Sequence, residues 1–370
     1  MARSPRRGMY RAAQAQARRL AGSLSREAIQ NVQRALIKFS DRVASIVAGL
    51  PADAAAARAA LRTTEHLLAR AAVNLERELV KAIADGRLTS FGEVTAAWQD
   101  ATLARLRQAG LTDQALISLV RDPPVTLLGA YEGLGGAAGT WKTLVGPLVR
   151  NAAAEADAII RAALTEGVSP VELARRLRPY VRGAEPFHRA FGGLDEVNLA
   201  RLEDATLRHA AGNLLHNANR IAFTEIHNAR AEAEVTAFAA DPFVQAVARR
   251  LAPDRGSQVE PDECDVLAGV DFYGLGEGVY PVDEVPPLSH PWDRCENVPV
   301  VRGTAAAGEP KPMPPRQLAA RDATIPNGRG LTITERDRIL ARAEQHLRAA
   351  TANSAGMASL ASTSVGQVTE

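Results

Sequence analysis

Two short runs decide the fold: Arg220-Ile-Ala-Phe-Thr-Glu225 and, further along, Phe243-Val-Gln-Ala-Val-Ala-Arg-Arg-Leu251. The first belongs to a helical pattern that resumes near Asp195, is weakened at Gly212 and runs to about Phe238. In the second the apolar residues roughly alternate, which is the period of a strand. Val270-Asp-Phe-Tyr273 is another short β-favouring run, and Pro281, Pro286, Pro287, Pro291 and Pro299 then force an extended, turn-rich path. The change of period predicts a small α+β module, one long helix backed by two to four short strands.

Upstream the chain reads as helix. Ile29, Val32, Leu36, Phe39, Val43, Ile46 and Leu50 recur at steps of three and four, which places them on one stripe. A second stripe runs through Leu61, Leu68, Leu75, Leu79 and Ile83 to an expected stop at Asp85-Gly86. Ser90-Phe-Gly-Glu93 has the capping-box spacing for a third helix, and Thr112 is placed to cap a short fourth one before Pro123-Pro124. Gly129–Gly139 interrupts this region, and it is not a phosphate loop: Trp141 stands where such a loop needs glycine before its lysine. Helix resumes over 140–167, with a kink expected near Pro147. Ser169-Pro-Val-Glu172 then supplies N-cap, N1 proline and N3 glutamate together.

The layout expected is mainly α. A basic flexible arm (1–22) precedes a region of long helices (23–139). The α+β module (140–302) is followed by a flexible tail with one helix (303–370). Of 370 residues 46% are apolar but only 4% aromatic, so the core must be mostly Ala, Leu, Val and Ile, which suits close-packed helices. A net charge of +2 decides nothing about a nucleic-acid partner. The arm concentrates Arg3, Arg6, Arg7, Arg11, Arg18 and Arg19, with no acid before Glu27. Such an arm is either a solvated terminus or a contact for phosphate or an acidic protein surface. Two cysteines make no disulfide framework, which points to a reducing compartment. No apolar run approaches a membrane span, and the start of the chain does not read as a secretory signal.

One order of residues is specific. Arg220-x-x-x-Thr224-Glu225 is followed by Asp254-Arg, by Cys264-x-x-Leu267-x-Gly269, and by Pro287-x-x-His290-Pro291-x-x-Arg294-Cys295. This order resembles the phage head-morphogenesis family, the minor head proteins similar to the Mu F protein. The upstream segment Glu166-Gly-Val-Ser-Pro-Val-Glu-Leu-Ala-Arg-Arg-Leu177 is similar to the short helical segment that precedes the domain in that family. The likeness spans about residues 150–300. It implies a structural virion component, not an enzyme, acting at the portal vertex or inner capsid surface in head assembly and genome packaging or delivery. Its partners would be portal protein, major capsid protein or packaged DNA, in the virion and, during assembly, in the host cytoplasm. Arg220, Thr224 and Glu225 would anchor the helix to the strands, and the Cys/His loop would lock the module.

The departures matter. Family members often carry Cys-x-x-Cys before the Leu-x-Gly and His-Pro-x-Cys-Arg-Cys at the end, whereas here Pro261 and Asp293 stand at two of those cysteine positions. A four-cysteine site is therefore excluded. Cys264, His290 and Cys295 remain, with Asp262, Asp265 or Asp293 as oxygen donors. Three readings stay open. Zinc would staple a module poor in aromatics. A disulfide would close a loop of about thirty residues, worth about 3–4 kcal/mol in an oxidising setting. Otherwise the pair are buried thiols, with His290 held inside a proline turn. The rival function is a metal-assisted hydrolase using Cys264, His290 and Cys295 with Glu263 or Asp293 as base. A toxin-like transferase built on Ser362-Thr-Ser364 and Glu370 is set aside, because the two lie too close in sequence to flank a nicotinamide.

Overall fold

In the computed structural model, the described residues are 6–121, 137–165, 168–181, 214–252, 262–286, 288, 293–302, 338–343 and 345. They are mainly helical. Helix α1 spans Arg6–Ala48, α2 Ala54–Ala59, α3 Leu61–Gln108 and α4 Gln114–Arg121. Helices α5 (Ala137–Thr165), α6 (Pro170–Val181) and α7 (Leu214–Ala240) follow. Strand β1 (Val244–Arg250), helix α8 (Glu263–Gly269), strand β2 (Val279–Tyr280) and strand β3 (Glu296–Val301) complete the order. None of the described helices is long and apolar enough to cross a membrane. The chain divides into two compact units, one of Met1–Ser23, Leu88–Gly135 and Ile226–Glu370, the other of Leu24–Arg87 and Gly136–Glu225.

The expected long helices are present, but two boundaries differ. Residues 6–22 are the first turns of α1, not a loose arm. Tyr10, Ala13, Ala17 and Ala21 recur on one face and are buried, and a stripe of alanines carries too little hydropathy to stand out in the sequence. The stop expected at Asp85-Gly86 does not occur, and α3 runs unbroken for 48 residues. Gly86 inside a helix costs about 1 kcal/mol relative to alanine. Phe91, Val94 and Trp98, all nearly inaccessible to solvent, continue the buried face beyond it and outweigh that cost. Ser90, expected to cap a new helix, instead donates its hydroxyl to the Ile226 carbonyl. Asp113, not Thr112, caps α4, accepting from the Ala115 amide at 2.8 Å. The Ser169 cap is found as expected, its Oγ accepting from the Glu172 amide at 3.3 Å, although α6 continues through Pro179 to Val181.

The Leu24–Arg87 and Gly136–Glu225 unit joins α1 to α6 through Ser40, which donates to the Arg178 carbonyl, and through an Arg178–Asp41 ion pair. The Tyr180 hydroxyl donates to Glu155 Oε1, and both side chains are buried. Glu155 Oε2 has no hydrogen-bond partner among the described residues.

In the other unit a three-stranded antiparallel sheet has the order β2-β1-β3. Val247 pairs with Tyr280 on one side and Pro299 on the other. Pro299 is tolerated because β3 is an edge strand, where a missing amide costs no central ladder bond. Val270–Tyr273, expected as a strand, is a turn. The Asp271 carboxylate accepts from the amides of Tyr273 and Leu275, and Gly274, Gly276 and Gly278 take positive φ, which carries the chain round into β2. Trp98 meets Phe238 edge to face at 4.7 Å between ring centroids, with Tyr10, Val244 and Val247 in the same core. Asp241, at the end of α7, accepts from the hydroxyls of Tyr10 and Thr102, and Arg105 donates to the Tyr10 oxygen at 2.8 Å. A second core joins Phe272, Tyr280, Val266 and Leu267 with Leu340 and Ala343 of the helical segment 338–343. The linker and most of the expected tail lie outside the described residues.

Two predictions follow from packing. A Cβ at Gly278 would lie 2.5 Å from the Ala268 carbonyl oxygen at φ +64, whereas one at Gly110, φ +70, meets nothing within 4 Å. Gly110→Ala should therefore cost only the left-handed backbone strain, about 1–2 kcal/mol. Gly278→Ala should cost clearly more in the same urea melts, and equal losses would refute the steric contact. Burial, opposed by the Tyr180 hydrogen bond, raises Glu155 to about 7. The folded chain keeps this proton over a range where the unfolded chain has lost it, so the group's contribution falls as pH rises from about 4.5 to 7. Glu155→Gln should thus gain on the wild type across that window, by up to about 3 kcal/mol. Parallel pH–stability curves for the two proteins would remove the assignment.

Candidate metal centre

The centre is built where α8, β1 and the loop entering β3 meet beneath α7. Cys264 lies in the first turn of α8, whose start is set by a capping box: Asp262 accepts from the Cys264 amide, and Asp265 accepts from the Asp262 amide. Asp293 and Cys295 come from the segment entering β3, where Asp293 Oδ1 accepts from the Cys295 amide at 2.7 Å. The Cys264 thiol donates to Asp293 Oδ2 at 3.3 Å. The donor atoms of Cys264, Asp293 and Cys295 all lie within 4.8 Å of one another, and the three residues are 0, 1 and 3% exposed. Ala231 of α7 and Leu288 close the apolar side.

Three cations and two further acids surround these donors. Arg249 of β1 is fully buried, and the sheet register sets it opposite Asn297. Its Nη1 donates to Asn297 Oδ1 at 3.1 Å and its Nη2 to the Pro286 carbonyl at 3.2 Å. Burial works against the Arg249 charge, and Asp293 is the first of the neighbouring charges that oppose this. Arg230 of α7 donates to the Cys295 carbonyl and lies 3.7 Å from Glu234 on its own helix. Burial raises Glu234 to about 7, with Arg230 opposing and Glu296 assisting. Glu296 accepts from Gln14 and is paired with Arg18 of α1. Burial, with Arg230 and Arg294 near by, depresses His227 to about 3 against the pull of Asp293, so its imidazole is neutral at neutral pH. A hydrogen bond with Cys264, burial and the Asp293 charge all push the Cys295 thiol far up.

The sequence shortlist is brought together in part. Cys264, Cys295 and Asp293 converge, Gly269 closes α8 and Arg294 is exposed beside them. Asp254, His290, Pro291 and Arg3 lie outside the described residues, as do the side chains of Arg6 and Arg7. Arg11 and Arg19 are exposed, while Arg18 is committed to Glu296. Arg220, Thr224 and Glu225, expected to anchor the helix to the strands, all lie on α7. Thr224 donates to the Arg220 carbonyl one turn back, and Glu225 is paired with buried Arg87 of α3. Further along α7, Arg230 donates to the Cys295 carbonyl at the entry to β3, with Glu234 beside it. Those two, with Arg249 and His227, were missed. The only signal for them was charge at positions where the helical or strand period demands an apolar residue.

The set fits a thiophilic divalent cation. Tetrahedral zinc with bonds of about 2.3 Å places two sulfurs about 3.8 Å apart, a spacing that the 4.8 Å cluster contains. Two sulfurs and one carboxylate oxygen would hold such an ion, and the ion would supply a cross-link between α8 and the β3 loop. The cysteines are free thiols here, so the disulfide reading is not the state described.

The Arg230–Glu234 pair gives a test. Arg230→Met leaves Glu234 buried without its cation and should cost roughly 3–5 kcal/mol above neutral pH. The loss should shrink towards pH 5, where Glu234 takes up a proton, while Glu234→Gln should be much milder throughout. Urea midpoints measured across pH decide it, and a loss that does not change with pH would show that Arg230 acts only through packing.

No family model, curated protein or solved structure matches this chain, so the chemistry of the centre rests on its own residues.

Proposed function

We propose that this chain is a structural minor head protein of a tailed phage or phage-like particle, and that its Cys264–Asp293–Cys295 centre is a metal staple for the fold. One observation carries the reading. Of the residues whose order resembles the head-morphogenesis family, Cys264 and Cys295 converge with Asp293 although they are distant in sequence. The near-complete burial of all three donors favours a staple over a catalyst. A hydrolytic zinc needs an open coordination position reachable by water and substrate. Zinc is the cation that two thiolates and a carboxylate suit best, and binding it would contribute directly to folding free energy.

In this reading the partners are the portal or the major capsid protein, with packaged DNA as a further contact. Helices α1 and α3, 43 and 48 residues long, offer extended faces for other helices. Exposed Arg11 and Arg19 offer cations to an acidic surface or to phosphate.

The test is assembly. Particles built with and without the chain are compared for co-sedimentation, portal content and packaged DNA. The chain should travel with the particle, its loss should lower the yield of filled heads, and Arg11→Glu with Arg19→Glu should weaken the association in a salt-dependent manner. A chain that never co-sediments, and whose absence leaves filled heads unchanged, would falsify the proposal.

A further inference from the structure

The first turns of α1 are a folded basic surface, tied down at both ends. Tyr10 donates to Asp241 at 2.5 Å, while Gln14 and Arg18 both donate to Glu296, at 2.9 and 2.8 Å. Ala13 and Ala17 lie between these contacts, in the core that holds Trp98 and Phe238. This docking brings arginines of separate elements to one place. Arg250, the last residue of β1, stands opposite Glu296 in the strand register, and Arg294 lies two residues before Glu296. Arg11, Arg18, Arg19, Arg250 and Arg294 are all exposed.

Residues 6–23 and β1 contain no acid, and the acids of 293–302, Asp293 and Glu296, are 1 and 5% exposed. Five arginines against those two acids give this face +3, more than the +2 of the whole chain. What the face lacks is equally informative. Among the described residues of these segments no large apolar side chain is exposed, and between the arginines of α1 the exposed positions include Ala12 and Gln16. A protein interface is anchored by apolar and aromatic groups at its centre, and single-stranded nucleic acid needs aromatic platforms for its bases. A membrane surface needs an exposed apolar helix face, and here that face is buried in the core. A duplex backbone needs only cations held at fixed places.

Building on the particle reading, we infer that the face made by the first turns of α1, the end of β1 and the entry to β3 docks the sugar–phosphate backbone of duplex DNA. It does so without reading sequence. Arg11, Arg19, Arg250 and Arg294 donate to phosphate oxygens, while Arg18, committed to Glu296, holds the helix in place beside them. Because these turns are already folded in the free chain, binding orders side chains and not backbone, which lowers its entropic cost.

The experiment titrates the purified full chain against a short labelled DNA duplex of arbitrary sequence over a range of salt, read by fluorescence anisotropy. The logarithm of the affinity should fall linearly with the logarithm of salt, with a slope of about −3 to −4, since each phosphate contact contributes roughly −0.9. Arg11→Gln with Arg19→Gln should flatten the slope by about 2 and weaken binding roughly 10–100-fold at about 0.1 M salt. Arg250→Gln should remove about one further unit of slope, equally for duplexes of different sequence. Arg62→Gln with Arg70→Gln, exposed arginines of α3 in the other unit, should change neither quantity. Every substituted side chain is exposed, and urea midpoints close to wild type show the fold intact. An equal loss in the α3 pair would show that net charge alone is read. Polyglutamate competing as well as unlabelled duplex of equal charge would give the face to an acidic protein. Either result overturns the inference, as does a wild type that binds no duplex at low salt. Co-sedimentation of the chain with particles is measured separately, so the particle reading survives or fails on its own.

Discussion

Arg249 and Arg230 are buried to within 1% of full coverage, and the organisation of the sheet-bearing unit follows from that constraint. A guanidinium cannot be deprotonated at any ordinary pH, so a buried one must be given anions and carbonyls where it stands. Arg249 meets Asn297 and the Pro286 carbonyl, while Arg230 meets Glu234 and the Cys295 carbonyl. These contacts bring together α7, β1, the segment before β3 and, through Cys264, helix α8. The apolar cores on either side, around Trp98 and around Tyr280, supply most of the burial, but they are less selective about register than a charge that must find its partner.

Few aromatics suffice because they are concentrated. Tyr10, Trp98, Phe238, Phe272, Tyr273 and Tyr280 are all buried in the unit that carries the sheet. The other unit is packed largely by Ala, Leu, Val and Ile on long helices, where small side chains allow close approach. Its buried polar contacts, Glu155 with Tyr180 and Arg87 with Glu225, each join two helices. A chain made this way combines extended helical faces with one small, tightly specified module, a division of labour that suits a component of a larger assembly.

Much of the fold was legible from period alone. The stripes at three and four announced the long helices, Ser169-Pro-Val-Glu172 announced α6, and the alternation after Ala240 announced β1. Of the expected ligands Cys264, His290 and Cys295, the two cysteines come together with Asp293, one of three acids named as alternatives, while His290 lies outside the described residues. The errors have a common origin. Asp85-Gly86 and Val270–Tyr273 carried correct local tendencies, and the packing of Phe91, Val94 and Trp98 overrode the first while the Asp271 turn overrode the second.

By itself, then, the sequence determined most of the long helices and the place where helix gives way to sheet, since these depend on backbone period and side-chain chemistry expressed within a few residues. Only the tertiary structure decided that α1 begins near Arg6, that α3 runs through Gly86, and that Arg230 and Glu234 lie side by side, both buried, on α7. It alone brought Asp293 and the two cysteines within 4.8 Å of one another and set Arg249 against Asn297. Each of these depends on a partner far away along the chain, and the energy of burying a charge is set by what stands opposite it in space.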